Sequence, residues 1–119
     1  MNDKTRPFGQ FLREKRVEKG FSLRKFAGLV GISPTYLSQV EQGKIAKPPT
    51  AERVKKMAEL LGENSDEWIG LAGRIPEDLS EIIQQQPTEL PELLREANGL
   101  SAEQLRQLRE HLRKLKEEK

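Results

Sequence analysis

Apolar positions along this chain recur at intervals of three and four, the spacing that lines one face of an α-helix. Each run is bounded by a capping residue or a glycine. Phe8, Phe11, Leu12 and Val17 seed a first helix that stops at Gly20. Ser22 caps a second, which carries Leu23, Phe26, Ala27 and Val30 and ends at Gly31. Ser33 caps a third, with Pro34 at the first helical position, where a missing N–H costs nothing. Leu37 and Val40 turn inward and Gly43 ends that helix. A proline-containing loop runs from Lys44 to Pro49, and Thr50 then opens a fourth helix with Val54, Met57, Ala58, Leu60 and Leu61, terminated by Gly62. Asn64 or Ser65 starts a short fifth helix through Trp68, Ile69 and Leu71, closed by Gly73. Its first turn holds Asp66 and Glu67, where the helix dipole favours negative charge.

Beyond Gly73–Pro76 the pattern changes. Pro76–Gln86 carries Leu79, Ile82 and Ile83, and Pro87–Asn98 carries Leu90, Leu93, Leu94 and Ala97. Ser101 and Gln104 form a capping box for a last helix, whose Leu105, Leu108, Leu112 and Leu115 make a coiled-coil-like seam two heptads long. Sustained period-two alternation is absent, so the predicted class is all-α. The predicted organisation is a five-helix domain over residues 1–74 and a short helical C-terminal segment over 75–119.

Charge divides at the same boundary. Residues 1–74 carry 14 Lys/Arg against 9 Asp/Glu, and residues 75–119 carry 7 against 10. A front half of net +5 and a back half of net −3 place a polyanion partner at the front. Hydrophobic content of 34% and a mean hydropathy of −0.74 allow only a thin, helix-built core. With no cysteine there is no disulfide, thiolate metal site or cysteine nucleophile. His111 stands alone, so no metal site and no Ser/His/Asp arrangement is expected. A Gly-rich phosphate loop is missing too. These features exclude an enzyme and imply no cofactor. No apolar run approaches the roughly 18 residues of a membrane span, and Met1–Arg6 leads into no signal-peptide core, which makes the cytoplasm the expected location.

The second and third helices are joined by a turn too short for an antiparallel pair. Ala27 is small where the third helix crosses, and Gly31 can take the left-handed conformation that a tight turn needs. Leu37 and Val40, with Phe26 and Val30, fix the crossing. The third helix, residues 33–42, is then held proud of the surface, able to enter a major groove about 12 Å wide.

From about Phe8 to Gly62 the chain resembles the Xre family of helix-turn-helix regulators, kin to lambda-type phage repressors and Cro proteins. The matching residues are Leu12-Arg13-Glu14-Lys15-Arg16, Gly20, Phe26-Ala27, Gly31-Ile32-Ser33, Tyr36-Leu37-Ser38, Val40-Glu41-Gln42-Gly43-Lys44 and Met57-Ala58-Glu59-Leu60-Leu61-Gly62. The resemblance implies a buried ion pair between Arg16 and Glu41. It places Pro34, Thr35, Tyr36, Ser38 and Gln39 on the exposed face of the recognition helix. Gln39 is the expected adenine reader, through a bidentate amide. Thr35 and Ser38 reach bases or phosphates, and Tyr36 stacks on sugar or packs a thymine methyl. Ser33, Gln42, Lys44 and Lys47 fall at phosphate-contacting positions. Two departures stand out: Leu23 replaces the glutamine that often opens the second helix, and Pro34 replaces a polar first reading position. Arg24 or Lys25 takes over the backbone contact. Arg53, Lys55 and Lys56 read as a solvated face.

One helix-turn-helix makes few phosphate contacts, and a two-fold pair doubles them, reading half-sites roughly 34 Å apart in a palindromic operator. Leu93, Leu94, Leu105, Leu108, Leu112 and Leu115 are the candidate dimer residues; the other reading has this segment folding back to complete the N-terminal core. The expected function is a dimeric, sequence-specific regulator, a repressor. The alternative is an antitoxin-like module whose C-terminal helices bind a partner protein, with autoregulatory DNA binding.

Overall fold

Serine, threonine and asparagine side chains start most of the helices of this chain, and glycines in the left-handed conformation end several of them. The computed structural model describes residues 5–118, with side chains from Phe8 onward. Met1–Lys4, from the stretch weighed above as a leader, lie outside the described residues. The regular elements described are helices: α1 (Thr5–Glu18), α2 (Leu23–Val30), α3 (Pro34–Gln42), α4 (Ala51–Leu61), α5 (Ser65–Leu71), α6 (Glu77–Gln85), α7 (Glu89–Ala97) and α8 (Ala102–Glu117).

The caps explain the boundaries. Ser22 Oγ accepts from the Lys25 N–H at 3.1 Å, Ser33 Oγ from Tyr36 at 3.0 Å, Thr50 Oγ1 from Arg53 at 3.3 Å and Asn64 Oδ1 from Glu67 at 2.8 Å. Each such bond satisfies a donor that the helix itself leaves open. At the far end of α3, Gly43 has a φ of 71°, and the N–H of Lys44 reaches back to the Gln39 carbonyl at 2.9 Å. The same closure recurs after α4, where Glu63 bonds to Ala58, and after α5, where Arg74 bonds to Ile69. In α8 the Ser101–Gln104 capping box is complete in both directions.

The chain separates into two compact units, with the division falling after Ser80. In the first, α1 packs on α3 and α5, α2 on α3 and α4, and α4 on α5. Their common core is Phe8, Leu12, Phe26, Ala27, Leu37, Val40, Val54, Met57, Ala58, Leu61, Trp68, Ile69 and Ala72. The rings of Phe8 and Trp68 meet edge to face, with centroids 5.7 Å apart, which fastens α1 to α5. Two seeds of α1 do not enter this core: Phe11 and Val17 are exposed. Leu12 and Arg16, four residues apart, occupy the inward stripe instead, and Phe11 and Val17 lie off it.

Gly9 marks the tightest constraint on α1. A Cβ built on it would lie 2.3 Å from the carbonyl oxygen of Val40 and 2.8 Å from that of Glu41. The first helix therefore rests its backbone on the last turn of α3.

In the second unit, none of the described side chains is fully buried. Leu93, Leu94, Leu105, Leu112 and Leu115 are exposed, and Leu108 is half-buried.

Candidate nucleic-acid interface

Helix α3 sorts its residues by face. Leu37, Val40 and Glu41 are buried, while Pro34, Thr35, Gln39 and Gln42 face solvent and Ser38 is half-exposed. Thr35, Ser38, Gln39 and Gln42 follow the three-and-four spacing that puts them on one side of a helix. The Gln42 side-chain amide donates to Ser38 Oγ at 2.9 Å, joining two of them into one polar unit. Leu23, at the start of α2, and Lys44, just past α3, complete a shallow hollow with Pro34, Thr35, Ser38, Gln39 and Gln42. Four of the sequence-predicted base readers, Pro34, Thr35, Ser38 and Gln39, share this hollow, and Tyr36 does not.

The remaining candidates frame that face. Arg24 and Lys25 are exposed on the first turn of α2, and Lys47 is exposed in the loop after α3. Ser33 is engaged as the α3 cap through an oxygen lone pair, which leaves its O–H free to donate. Tyr36 is placed differently from the expectation that put it on the exposed face. It is half-buried and packs against the core, because it lies one turn before the buried Val40 on the inward side of α3.

The turn that presents α3 is built as a unit. Gly31 has a φ of 88°, and the N–H groups of Gly31 and Ile32 both bond to the Ala27 carbonyl, at 2.9 and 3.0 Å. Ala27 is fully buried beneath. From the other side, Arg16 braces the end of α3. Its Nε donates to Glu41 Oε2 at 2.6 Å and its Nη2 to Glu41 Oε1 at 3.0 Å, a bidentate pair with both residues under 10% exposed. The third arm, Nη1, donates to the Phe21 carbonyl at 2.8 Å, so the same guanidinium also closes the α1–α2 connection. None of the described buried side-chain polar atoms lacks a partner.

Two positioning residues were not visible as such in the sequence. Gly9 had a signal, an isolated glycine inside a helical pattern, which points to close packing. Arg74 donates from Nε to the Pro49 carbonyl at 3.0 Å and from Nη2 to the Pro48 carbonyl at 2.6 Å, tying the end of α5 to the loop after α3. Only the adjacent prolines, which bring carbonyls without N–H groups, hinted that an outside donor was needed.

Two helices joined by a glycine turn, the second with its inner face in the core and its outer face polar and braced at both ends, define a helix-turn-helix domain. The helix-turn-helix family profile matches residues 12–68, and through this domain the chain belongs to that family, of the Xre, lambda-repressor-like kind. The family is one of DNA-binding regulators rather than enzymes. The chain is 36% identical over 78 residues to an uncharacterized HTH-type transcriptional regulator of Bacillus subtilis (strain 168), RghRB; the match takes in 63% of this chain and 55% of that protein. It is 34% identical to the restriction-modification controller protein C.AhdI from Aeromonas hydrophila, covering 51% of this chain and 89% of that one with a TM-score of 0.46. The clp gene regulator ClgR from Corynebacterium glutamicum is 26% identical, covering 82% of this chain and 96% of its own, with a TM-score of 0.50. The chain thus spans about half the length of the curated relative it matches. No described helix is long and apolar enough to cross a membrane.

Proposed function

We propose that this chain is a sequence-specific double-stranded DNA-binding regulator that lays α3 in the major groove. The observation that carries the reading is the division of α3 into a buried Leu37–Val40–Glu41 side and an outward Thr35–Ser38–Gln39–Gln42 side. Gln39 reads adenine through its amide, and Thr35 and Ser38 add hydroxyl contacts at neighbouring bases. Ser33, Gln42, Lys44, Lys47 and the Arg24–Lys25 pair hold phosphate, a sequence-independent contribution that falls with salt. Tyr36, half-buried, contributes its ring edge at the margin of this face.

In this reading residues 1–74 bind DNA and residues 75–119 associate two copies, through Leu93, Leu94, Leu105, Leu108, Leu112 and Leu115. Exposed leucines on α7 and α8 support it, since burying them against a second copy removes apolar surface from water. A two-fold pair matches a palindromic operator and acts as a repressor in the cytoplasm. The same leucines also fit a partner protein, the antitoxin-like alternative. A mobility-shift titration with the chain's own upstream region, run beside sedimentation analysis of the free protein, tests both. Specific retardation with a dimeric free protein supports the first reading. A monomer that retards no upstream fragment overturns it.

A further inference from the structure

The loop between α3 and α4 has an inward side and an outward side. Ile45 packs against the core and Pro49 is buried, whereas Lys44, Ala46 and Lys47 are exposed. Its two ends are held differently. The N–H of Lys44 is bonded to the Gln39 carbonyl, so Lys44 is fixed by the closure of α3 itself. Lys47 has no such tie: it precedes Pro48 and Pro49, two residues that lack an N–H with which to close a turn.

Besides the burial of Pro49, that stretch is held by Arg74, whose guanidinium spans the two consecutive proline carbonyls. Arg74 is itself fixed. Its backbone N–H bonds to Ile69 at 2.9 Å, across Gly73 with a φ of 78°, and Ile69 and Trp68 are buried in the core. A continuous path therefore runs from the core, through the end of α5 and one guanidinium, to the residue next to Lys47. The planar fork meets the two acceptors with N–H groups in a fixed geometry, which a flexible ammonium does not offer.

We infer that Arg74 is a positioning residue for DNA binding, which holds the Pro48–Pro49 backbone so that Lys47 meets phosphate, while Lys44 is positioned independently of it. This rests on the phosphate role proposed for the loop lysines.

The test is fluorescence anisotropy of the full chain with a labelled mixed-sequence duplex several turns long, repeated over a range of salt. The variants are Lys44→Ala, Lys47→Ala, Arg74→Ala, and Arg74→Ala combined with each lysine change. Losing one phosphate contact flattens the slope of log K against log[salt] by about 0.9 per protomer. Lys47→Ala and Arg74→Ala are each expected to do this, and the pair to bind within about twofold of either alone. Arg74→Ala and Lys44→Ala are expected to multiply. If the Arg74 and Lys47 losses multiply instead, or Arg74→Ala keeps the wild-type slope while Lys47→Ala does not, the clamp is overturned and the phosphate role stands. Wild-type slopes for both lysine variants overturn the phosphate role, and the clamp with it. Should Arg74→Ala fail to fold, Arg74→Lys keeps the charge but loses the rigid fork that holds both carbonyls. It is expected to flatten the slope, and an unchanged slope overturns the inference.

Discussion

The Cα of Gly9 faces the carbonyl oxygen of Val40 so closely that a methyl group there would sit 2.3 Å from it. Both partners are backbone, so relief requires the two helices to move apart. Alanine normally gains about 0.5–1 kcal/mol over glycine inside a helix. Here overpacking against fixed carbonyls, typically about 1–3 kcal/mol, opposes that gain and exceeds it. Gly9→Ala is expected to lower stability by about 1–2 kcal/mol in urea denaturation. Because α1 rests on the last turn of α3, DNA affinity is expected to fall as well, even at temperatures where the variant is folded.

Arg16 and Glu41 form a bidentate pair, and a third guanidinium arm reaches Phe21. Removing one partner strands a buried charge. Arg16→Met and Glu41→Leu are each expected to cost about 3–5 kcal/mol, and the double variant to recover most of that loss. A double-mutant cycle by chemical denaturation measures the coupling. Additive losses contradict the assignment of a directly coupled pair.

Gln39 and Thr35 are exposed and outside the core, so Gln39→Ala and Thr35→Ala are expected to leave stability within about 0.5 kcal/mol of wild type. Gln39→Ala is expected to lose about 1–3 kcal/mol of discrimination at one base position, and Thr35→Ala less, since a single hydroxyl makes no bidentate pair. Binding to mixed-sequence DNA stays nearly constant. A comparable loss on every sequence places these residues on phosphate instead.

On α8, Leu105 and Leu112 are seven residues apart and both exposed. A Leu105→Glu/Leu112→Glu variant is expected to sediment as a monomer with unchanged helicity. Its DNA-binding salt slope is expected to halve, because one protomer contacts half the phosphates. A variant that stays dimeric moves the interface elsewhere.

Much of the first unit was legible because its signals are local. Ser22, Ser33 and Thr50 announce helix starts, and Gly31, Gly43 and Gly62 announce ends, through chemistry confined to a few neighbouring residues. The Arg16–Glu41 contact, 25 residues apart in sequence, was reachable only through family resemblance. Tyr36 was harder to place, since an amphipathic side chain suits either face and one turn of helix decides between them. Phe11 and Val17 show the limit of periodicity: on a helix whose apolar residues are Phe8, Phe11, Leu12 and Val17, sequence does not say which stripe meets the core. Gly9 and Arg74 depend on distant backbone carbonyls, which carry no side-chain signature.

The edge-to-face contact of Phe8 and Trp68 has a spectroscopic consequence. Trp68 is the chain's single tryptophan, Tyr36 its single tyrosine, and all four phenylalanines precede residue 30. Every near-ultraviolet chromophore thus belongs to the first compact unit, and the stretch from Glu81 onward is optically silent there. Tryptophan emission follows the unfolding of the helix-turn-helix unit alone, while far-ultraviolet dichroism sums both units. A melt recorded by the two signals resolves the halves of this protein without a label.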